Sequence, residues 1–257
     1  MAEGDTIHRL ARRIGEAMAG EAVAVRAPSP RGAAAGVARL DGGRLTRAEA
    51  RGKHLLLWFE AGGEELVLHS HLAMSGSWHL HRPGDRWRYR PDSAWAVLST
   101  ATAEAVQWNG PTLRVLRPAE LSRDPRLAAL GPDILDPAFD VDAGVKALRR
   151  RGDRELGEAL LDQTAIAGIG NIYKSESCFR ARVNPWRRLG DLSDQELAAV
   201  VAATRELMLA GAGSGRMPKQ VYRRAGRPCP RCRTRLRSRG QGDDARTTYW
   251  CPYCQPG

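Results

Sequence analysis

The sequence predicts an α+β protein in three parts: an antiparallel β-sandwich or barrel, a helical segment, and a zinc finger. Short β-like runs separated by Gly, Pro and Asp clusters fill residues 22–116, with no regular helical crossover between them. Helical periodicity follows a linker-like segment at residues 131–137. Two C-x-x-C pairs lie near the C-terminal end. These three observations together predict the class.

The length and composition of the chain limit its number of domains and the kinds of partner that it can bind. A chain of 257 residues makes one large domain or two ordinary ones, and 42% hydrophobic residues are enough for packed cores. A net charge of +11, from 40 Lys and Arg against 29 Asp and Glu, favours a nucleic acid or another anionic surface as partner. The same charge is also compatible with solubility alone. We expect no signal peptide and no apolar run long enough to span a bilayer.

An amphipathic helix is predicted near the N-terminal end. Asp5 or Thr6 can cap it, and apolar residues recur behind them at helical spacing on one face. The members of that face are Ile7, Leu10, Ala11, Ile14 and Met18. Ala2 and Glu3 therefore lie just before a helix N-terminus, where backbone N–H groups point outward and the helix dipole is positive.

Five runs between this helix and the linker are β-like. They lie at residues 22–25, 54–59, 65–69, 94–98 and 113–116. After the linker, helices are predicted at residues 141–151, 154–163 and 172–182. A capping box at Ser193 and Glu196 opens a fourth helix, and residues 210–216 are expected to be a loose segment leading to the finger.

The finger prediction rests on cysteine spacing. Cys229 and Cys232 form the first pair, Cys251 and Cys254 the second, and eighteen residues separate the pairs. Two such pairs favour a four-thiolate zinc site, with a hairpin in the intervening segment. Two disulfides are the alternative, as is a zinc whose role is structural only. The remaining cysteine, Cys178, is predicted to be a small buried hydrophobe, as suits a reducing cytosol.

The intervening segment is rich in arginine, which suggests a surface that grips a polyanion. Its members are Arg233, Arg235, Arg237, Arg239 and Arg246, with Arg231 inside the first pair.

The N-terminal residues form a first candidate site. Removal of Met1 before the small residue that follows would leave the α-amine of Ala2 free. An α-amine has an unperturbed pKa of about 8, and a helix N-terminus lowers it further, which makes a nucleophile towards a sugar aldehyde. The carboxyl of Glu3 lies alongside for proton transfer. An ordinary frayed chain start is the alternative reading.

Two turns are further candidates. The segment 51–54 would place Lys53 at a hairpin tip, although an exposed lysine is usually only solvated. The segment 167–176 combines glycines with a following helix start, so it offers backbone N–H groups to a phosphate. Asn171 could cap that helix and also donate to a phosphate. A plain helix–turn–helix corner is the alternative.

Taken in order, Glu3-Gly4-Asp5-Thr6, the Arg51-Gly52-Lys53 turn, the 168–176 turn and the terminal finger resemble the formamidopyrimidine-DNA glycosylase/endonuclease VIII family. The N-terminal tetrapeptide is more similar to the endonuclease VIII branch. The resemblance covers essentially the whole chain. It implies a β-sandwich with flanking helices at 1–130, a helix–two-turn–helix domain at 131–215 and a zinc finger at 216–257.

The resemblance also implies a function. Family members bind damaged duplex DNA in a cleft, flip the base out, and release it through attack on C1′ by the N-terminal amine. A Schiff base then allows both flanking phosphates to be eliminated. The catalytic residues implied here are Ala2, Glu3, Lys53 and Arg246.

Four residues are implied to contact DNA: Met74 as the void filler, Asn171 and Lys174 at phosphates, and Trp108 as a candidate wedge. A core methionine and a core tryptophan are the alternatives for Met74 and Trp108. Four cysteines would hold one structural Zn²⁺.

The sequence departs from the family at Ala2, where the family has proline. A secondary amine gives a charged iminium, whereas a primary amine can give a neutral imine, so we expect reduced glycosylase activity and possible lyase activity. A non-catalytic damaged-DNA binder and a zinc-ribbon transcription or RNA-binding factor are the alternatives. We expect a monomer in the bacterial cytoplasm, associated with the nucleoid and not with membranes.

Overall fold

The computed structural model describes residues 2–257, so the predicted removal of Met1 concerns a residue outside the described part. The chain divides into two compact units, Met1–Ala128 and Ala129–Gly257. Each unit has a hydrophobic core of its own.

The first unit contains two four-stranded antiparallel sheets with flanking helices. The first sheet has the order β2-β3-β4-β8 and the second has the order β1-β6-β7-β5. The strands are β1 (Ala24–Arg26), β2 (Arg44–Arg51), β3 (His54–Ala61), β4 (Glu64–His71), β5 (Ser77–His81), β6 (Ala96–Ser99), β7 (Glu104–Trp108) and β8 (Thr112–Leu116). The helices are α1 (Gly4–Met18), α2 (Pro30–Ala34), α3 (Pro118–Ser122) and α4 (Pro125–Ala128), with 3₁₀ turns at Val37–Leu40 and Pro91–Ser93.

Inward-facing side chains of both sheets and the apolar face of α1 form one core. Strand β3 shows the alternation, because Leu55, Leu57 and Phe59 are fully buried whereas Glu60 is exposed. The predicted helix face is confirmed at Ile7 and at each later turn. The predicted antiparallel sandwich is therefore the observed architecture.

The start of α1 differs from the prediction. The N-cap residue is Glu3, and the backbone N–H groups of Thr6 and Ile7 donate to its carbonyl oxygen. Asp5 and Thr6 lie inside the first helical turn, so neither caps the helix. The N-cap therefore lies two residues before Asp5, and Ala2 directly precedes it.

The second unit is helical and ends in a two-stranded hairpin. Its elements are α5 (Val141–Arg149), α6 (Leu156–Ala159), α7 (Asn171–Ala181), a 3₁₀ turn at Leu189–Asp191, α8 (Asp194–Ser214), β9 (Arg237–Gln241) and β10 (Arg246–Trp250). The capping box at Ser193 and Glu196 is confirmed. The helix expected at 154–163 is shorter, because only Leu156–Ala159 is α-helical.

Helix α8 is longer than predicted and runs through most of the segment that we expected to be loose. It ends at Ser214, and Gly215 caps it with a φ of 69°, the left-handed conformation favoured at helix C-termini. Contrary to our expectation, α8 is long and apolar enough to cross a bilayer by length and composition. Its residues Leu197, Val200 and Met208 are nevertheless fully buried in the core of the unit, and a core helix meets the same two criteria.

Candidate active site

Ala2 lines a cavity of about 260 Å³ in the first unit. The wall comprises one side of α1 and the segment that leads from β4 into β5, with the members Thr6, Arg9, Leu10, Arg13, Leu72, Gly76, Ser77, Trp78 and His79. Glu3 follows Ala2 and is only 1% exposed. The residue predicted to carry the nucleophilic nitrogen therefore adjoins a half-open cavity, and the buried residue Glu3 follows it in the chain.

Lys53 lies at the tip of the hairpin that joins β2 and β3, as predicted. Strand β2 ends at Arg51, β3 begins at His54, and Gly52 between them has a φ of 59°, which favours glycine. Lys53 is half-buried. The short turn fixes the direction in which the lysine leaves the sheet.

A cluster of three histidines adjoins Lys53, and the sequence reasoning missed it. His54 Nδ1 lies 2.8 Å from His69 Nε2, and the rings of His54 and His71 stack with centroids 4.6 Å apart. Arg114 donates to His69 Nδ1 at 3.3 Å and pairs with Asp124. The alternation of histidines at the end of β4 was the available signal.

Burial keeps this cluster neutral. Burial, with His71 and His69 nearby, lowers the pKa of His54 from 6.5 to about 3. Burial and the Arg114 guanidinium lower the pKa of His69 from 6.5 to about 4. The pKa of His71 is lowered by burial and then by Lys53. The imidazoles therefore add no positive charge beside Lys53 at neutral pH.

Met74 is exposed, with 60% of its surface accessible. It follows β4 in a tight turn, in which Ala73 has a φ of 47°. A Cβ on Gly76 would approach the carbonyl oxygen of Leu72 to 2.8 Å, so the turn requires glycine there. The core alternative for Met74 is therefore excluded, while its void-filling role stays a prediction.

Trp108 is not available as a wedge, which corrects the prediction. It is 1% exposed and packs in a small cluster with Ala94, Val97 and Val106 on the second sheet. The ring of Trp87 covers its edge, with centroids 5.8 Å apart. A residue buried on all sides cannot enter a duplex unless the loop over it opens.

In the second unit, Asn171 is the first residue of α7 and does not cap the helix. The N-cap is Gly170, and no side chain caps the N-terminus. Asn171 Nδ2 instead donates to the carbonyl oxygen of Thr247 in the finger hairpin at 2.9 Å, and the residue is 8% exposed. Gly168, with a φ of 99°, supplies the sharp turn before the helix, as predicted.

Lys174 is fully buried, which contradicts its predicted contact with a phosphate. Its Nζ lies 3.5 Å from the carbonyl oxygen of Arg246. The periodicity of α7 could not reveal this, because the helix is enclosed on nearly every side. Asn171 and Lys174 thus both support the backbone at the start of β10.

The Arg246 side chain is 45% exposed and lies 3.6 Å from an Asp244 carboxylate oxygen. It opens β10, so its direction is set by the hairpin and by the Lys174 contact below. An arginine held at its backbone with an accessible guanidinium suits a phosphate ligand.

Glu176 is a second residue that the sequence reasoning missed. Its buried carboxylate accepts hydrogen bonds from the backbone N–H groups of Gln220, Val221 and Tyr222, at 3.0, 3.0 and 2.8 Å. Glu176 therefore fastens to α7 the segment that leads into the finger. The acidic residue at the end of the 168–176 motif was its only signal.

The four cysteines that were predicted to bind zinc lie close together. Their Sγ atoms lie within 4.8 Å of one another, with 3.9 Å between Cys229 and Cys254 and 3.5 Å between Cys232 and Cys251. All are free thiols, so the disulfide alternative is excluded in this structure. A tetrahedral site with Zn–S bonds of about 2.3 Å places sulfur atoms roughly 3.8 Å apart. The cluster therefore fits a zinc-sized tetrahedral ion.

Hydrogen bonds support this cluster from the backbone. Arg231 N–H donates to Cys229 Sγ and Cys254 N–H to Cys251 Sγ, both at 3.4 Å. The predicted hairpin between the cysteine pairs is confirmed as β9 and β10. The fifth cysteine, Cys178, is fully buried, as predicted for a small buried hydrophobe, and burial raises the pKa of its thiol to about 12.

Two family models match the chain. The formamidopyrimidine-DNA glycosylase N-terminal domain matches residues 1–115, and the formamidopyrimidine-DNA glycosylase H2TH domain matches residues 130–220.

Three relatives show the breadth of the match. A probable endonuclease 8 2 of Streptomyces coelicolor is 42% identical, covering 100% of this chain and 95% of the relative. The DNA-(apurinic or apyrimidinic site) lyase Nei2 of Mycolicibacterium smegmatis is 34% identical over 99% of both chains. A formamidopyrimidine-DNA glycosylase of Rhodopseudomonas palustris is 33% identical over 85% of this chain and 86% of its own.

Solved structures share the fold. The Lactococcus lactis formamidopyrimidine-DNA glycosylase, in complex with DNA containing N7-benzyl-Fapy-dG, superposes with a TM-score of 0.83 at 21% identity, covering 100% of both chains. The same enzyme with abasic-site DNA gives a TM-score of 0.82. The chain belongs to the formamidopyrimidine-DNA glycosylase and endonuclease VIII family.

Proposed function

We propose that this protein is a bifunctional DNA glycosylase and abasic-site lyase of base excision repair, which removes oxidised bases, mainly pyrimidines, from duplex DNA. Its relatives are named endonuclease 8, abasic-site lyase and formamidopyrimidine-DNA glycosylase. The net charge of +11 suits a polyanionic partner. The observation that carries the proposal is the position of Ala2 at the wall of a half-open cavity, directly before the buried Glu3.

The proposed chemistry begins at the Ala2 nitrogen. Its lone pair attacks C1′ of the damaged nucleotide, the glycosidic bond breaks and the base leaves with a proton, while Glu3 protonates the ring oxygen as the sugar opens. The resulting Schiff base acidifies the C2′ proton. Its loss expels the 3′ phosphate, and a second elimination expels the 5′ phosphate.

The remaining roles follow the positions of the side chains. Lys53, at its hairpin tip, contacts DNA beside the reacting sugar, and Met74 fills the space that the flipped base vacates. Asn171 and Arg246 bind phosphates from the second unit. Neither Trp108 nor Lys174 has a direct role, because the Trp108 ring packs inside an apolar cluster and the Lys174 Nζ is directed at the carbonyl oxygen of Arg246.

Base release should be slower with alanine at position 2 than with the proline of the family. A secondary amine necessarily gives a cationic iminium, whereas the primary amine of alanine gives an imine that withdraws electrons only when protonated. Alanine also lacks the ring that fixes φ. A second candidate, a catalytically impaired protein that binds damaged or abasic DNA, is favoured by this one substitution.

The four cysteines would hold one structural Zn²⁺, which fixes the hairpin that carries Arg246. We propose a sandwich domain at 1–130, a helix–two-turn–helix domain at 131–215 and a zinc finger at 216–257. The protein would act as a monomer on the nucleoid in the bacterial cytoplasm.

Product analysis tests the function. The protein and its Ala2→Pro variant are incubated with duplexes carrying an oxidised pyrimidine or an abasic site, and Glu3→Gln is the control for the proton-transfer step. We expect strand cleavage at the abasic site by both proteins and faster base release by Ala2→Pro. Equal rates on the oxidised base would contradict the role assigned to Ala2. Binding to the abasic duplex without cleavage would favour the second candidate.

A further inference from the structure

The histidine cluster is part of a line of hydrogen bonds that crosses one face of the first sheet and runs from Arg114 through His69 to His54. His54 and His71 are directly opposed on β3 and β4, and His69 is directly opposed to Arg114 on β8. This face is opposite the one that packs in the sandwich core, since Leu55 and Leu68 point inward. Arg114 at the far end is anchored by Asp124, whose other oxygen accepts the N–H groups of the first turn of α4.

Arg114 determines which nitrogen donates and which accepts along this line, because a guanidinium group can only donate hydrogen bonds. Because Arg114 donates to His69 Nδ1, that nitrogen carries no proton, and His69 must carry its proton on Nε2. That Nε2–H donates in turn to His54 Nδ1 at 2.8 Å. His54 therefore also carries its proton on Nε2. The Asp124–Arg114 pair thus sets the tautomers of two histidines.

The Nε2–H of His54 is the open end of the line. Among residues 2–257, no group accepts a hydrogen bond from it. His54 is half-buried and directly follows Lys53 at the hairpin tip. A donor of fixed direction therefore lies beside the lysine, at an end of the sheet that solvent reaches.

We propose that His54 is a further DNA-contacting residue, whose Nε2–H donates a hydrogen bond to a phosphodiester oxygen beside Lys53, with its tautomer set by His69, Arg114 and Asp124. The inference rests on the proposed function, because it takes a DNA strand as the ligand at Lys53. The contact is neutral. It adds direction at the hairpin tip without adding the counterion release that a cation brings.

The tautomers are tested first, without DNA. The zinc-loaded full chain is labelled with ¹⁵N-histidine, and long-range ¹H–¹⁵N correlations at neutral pH assign the proton in each ring. We expect His54 and His69 both in the Nε2–H form, and His54 losing its single preference in the His69→Phe variant. A proton on Nδ1 of His54 in the unaltered protein would overturn the proposal.

The contact is tested by adding a duplex with a non-cleavable abasic-site analogue to the same sample. The His54 Nε2–H resonance should move strongly, and His54→Phe should bind the duplex about tenfold more weakly, as expected for one hydrogen bond to a charged acceptor. His54→Gln keeps a donor near the same position and should stay within about threefold of the unaltered protein.

Salt dependence separates this contact from that of Lys53. His54→Phe should leave the slope of log Kd against log salt unchanged, whereas Lys53→Ala should reduce it by about 0.9. Equal binding by His54→Phe and the unaltered protein, or an unmoved resonance, would overturn the contact alone. If the unaltered protein does not prefer the abasic duplex, the proposed function fails and the contact fails with it.

Discussion

The side-chain amide of Asn171, at the first position of α7, donates a hydrogen bond to the carbonyl oxygen of Thr247 in strand β10 at 2.9 Å. This bond joins the glycine turn to the finger hairpin inside the second unit. The residue that sequence reasoning assigned to a phosphate therefore also holds the strand that begins with Arg246.

Replacing Asn171 should loosen the hairpin before any DNA is present. Asn171→Ala leaves the Thr247 carbonyl without its side-chain donor, and we expect a loss of about 1 kcal/mol in the free energy of unfolding. Asn171→Asp should cost more, because a carboxylate would face the carbonyl oxygen. Thermal unfolding of the zinc-loaded variants checks the order, and an Asp variant as stable as the Asn protein would refute the bond's orientation.

Glu176 should matter more for the finger than any surface carboxylate. Glu176→Gln keeps the side chain's shape but replaces one acceptor oxygen with a donor facing backbone N–H groups, so we expect a loss of about 3 kcal/mol. Amide hydrogen exchange should accelerate at residues 220–222 in particular.

A matched control is Glu196→Gln, which alters the exposed capping box of α8. We expect it to cost at most about 1 kcal/mol and to leave exchange at 220–222 unchanged. Equal effects of the two substitutions would show that Glu176 is not an anchor.

Metal removal should unfold the finger selectively. The purified protein should contain one Zn²⁺ per chain, and Co²⁺ substitution should give the intense visible absorption of a tetrahedral thiolate site. Cys232→Ser should lose the metal, whereas Cys178→Ser, which alters the buried fifth cysteine, should keep it. Retention of metal by Cys232→Ser would exclude a site of four thiolates.

The neutral histidines should make the first unit sensitive to acid. Below pH 6.5 the unfolded chain binds protons that folded His54 and His69 take up only near pH 3 and 4, because burial lowers both pKa values. Stability should therefore fall as pH drops from about 6.5 towards 4, by up to about 1.4 kcal/mol per pH unit for each histidine.

Urea unfolding at several pH values tests this sign. The groups that face the pair are His71, Lys53, Arg114, Asp124 and Arg126. Replacing His54 and His69 with Phe should flatten the dependence between pH 6.5 and 4. An unchanged slope in the double variant would show that other groups cause the acid sensitivity.

Much of the fold could be predicted from the sequence, because hydrophobic periodicity is present wherever one face of a helix or strand is buried. The α1 face and strands β3, β4 and β8 follow that rule. Strand β2 was missed because it lies at a sheet edge and carries exposed charges at Arg44, Arg47 and Glu49, so its sequence resembles a loop. Strands β5 and β7 were missed because they are short and mix polar with aromatic residues.

The candidate site could be predicted only in part, because the type of a residue does not determine whether its side chain is exposed. Motif spacing located the cysteine cluster, the Lys53 hairpin and the glycine turn. Trp108 and Lys174 were misjudged, since the loop carrying Trp87 and the finger hairpin bury them through contacts distant in sequence. Glu176 and the histidine line depend on partners 15 to 46 residues away, which no local pattern contains.

Borohydride trapping tests the central claim most directly. Protein whose intact mass shows that Met1 is absent, with zinc bound, is mixed with an abasic-site duplex and reduced. We predict a covalent protein–DNA adduct whose cross-linked peptide begins at Ala2, and no adduct after selective acetylation of the α-amine. Failure of the unblocked protein to form an adduct, or an adduct mapped to an internal lysine, would contradict the claim that the Ala2 nitrogen is the nucleophile.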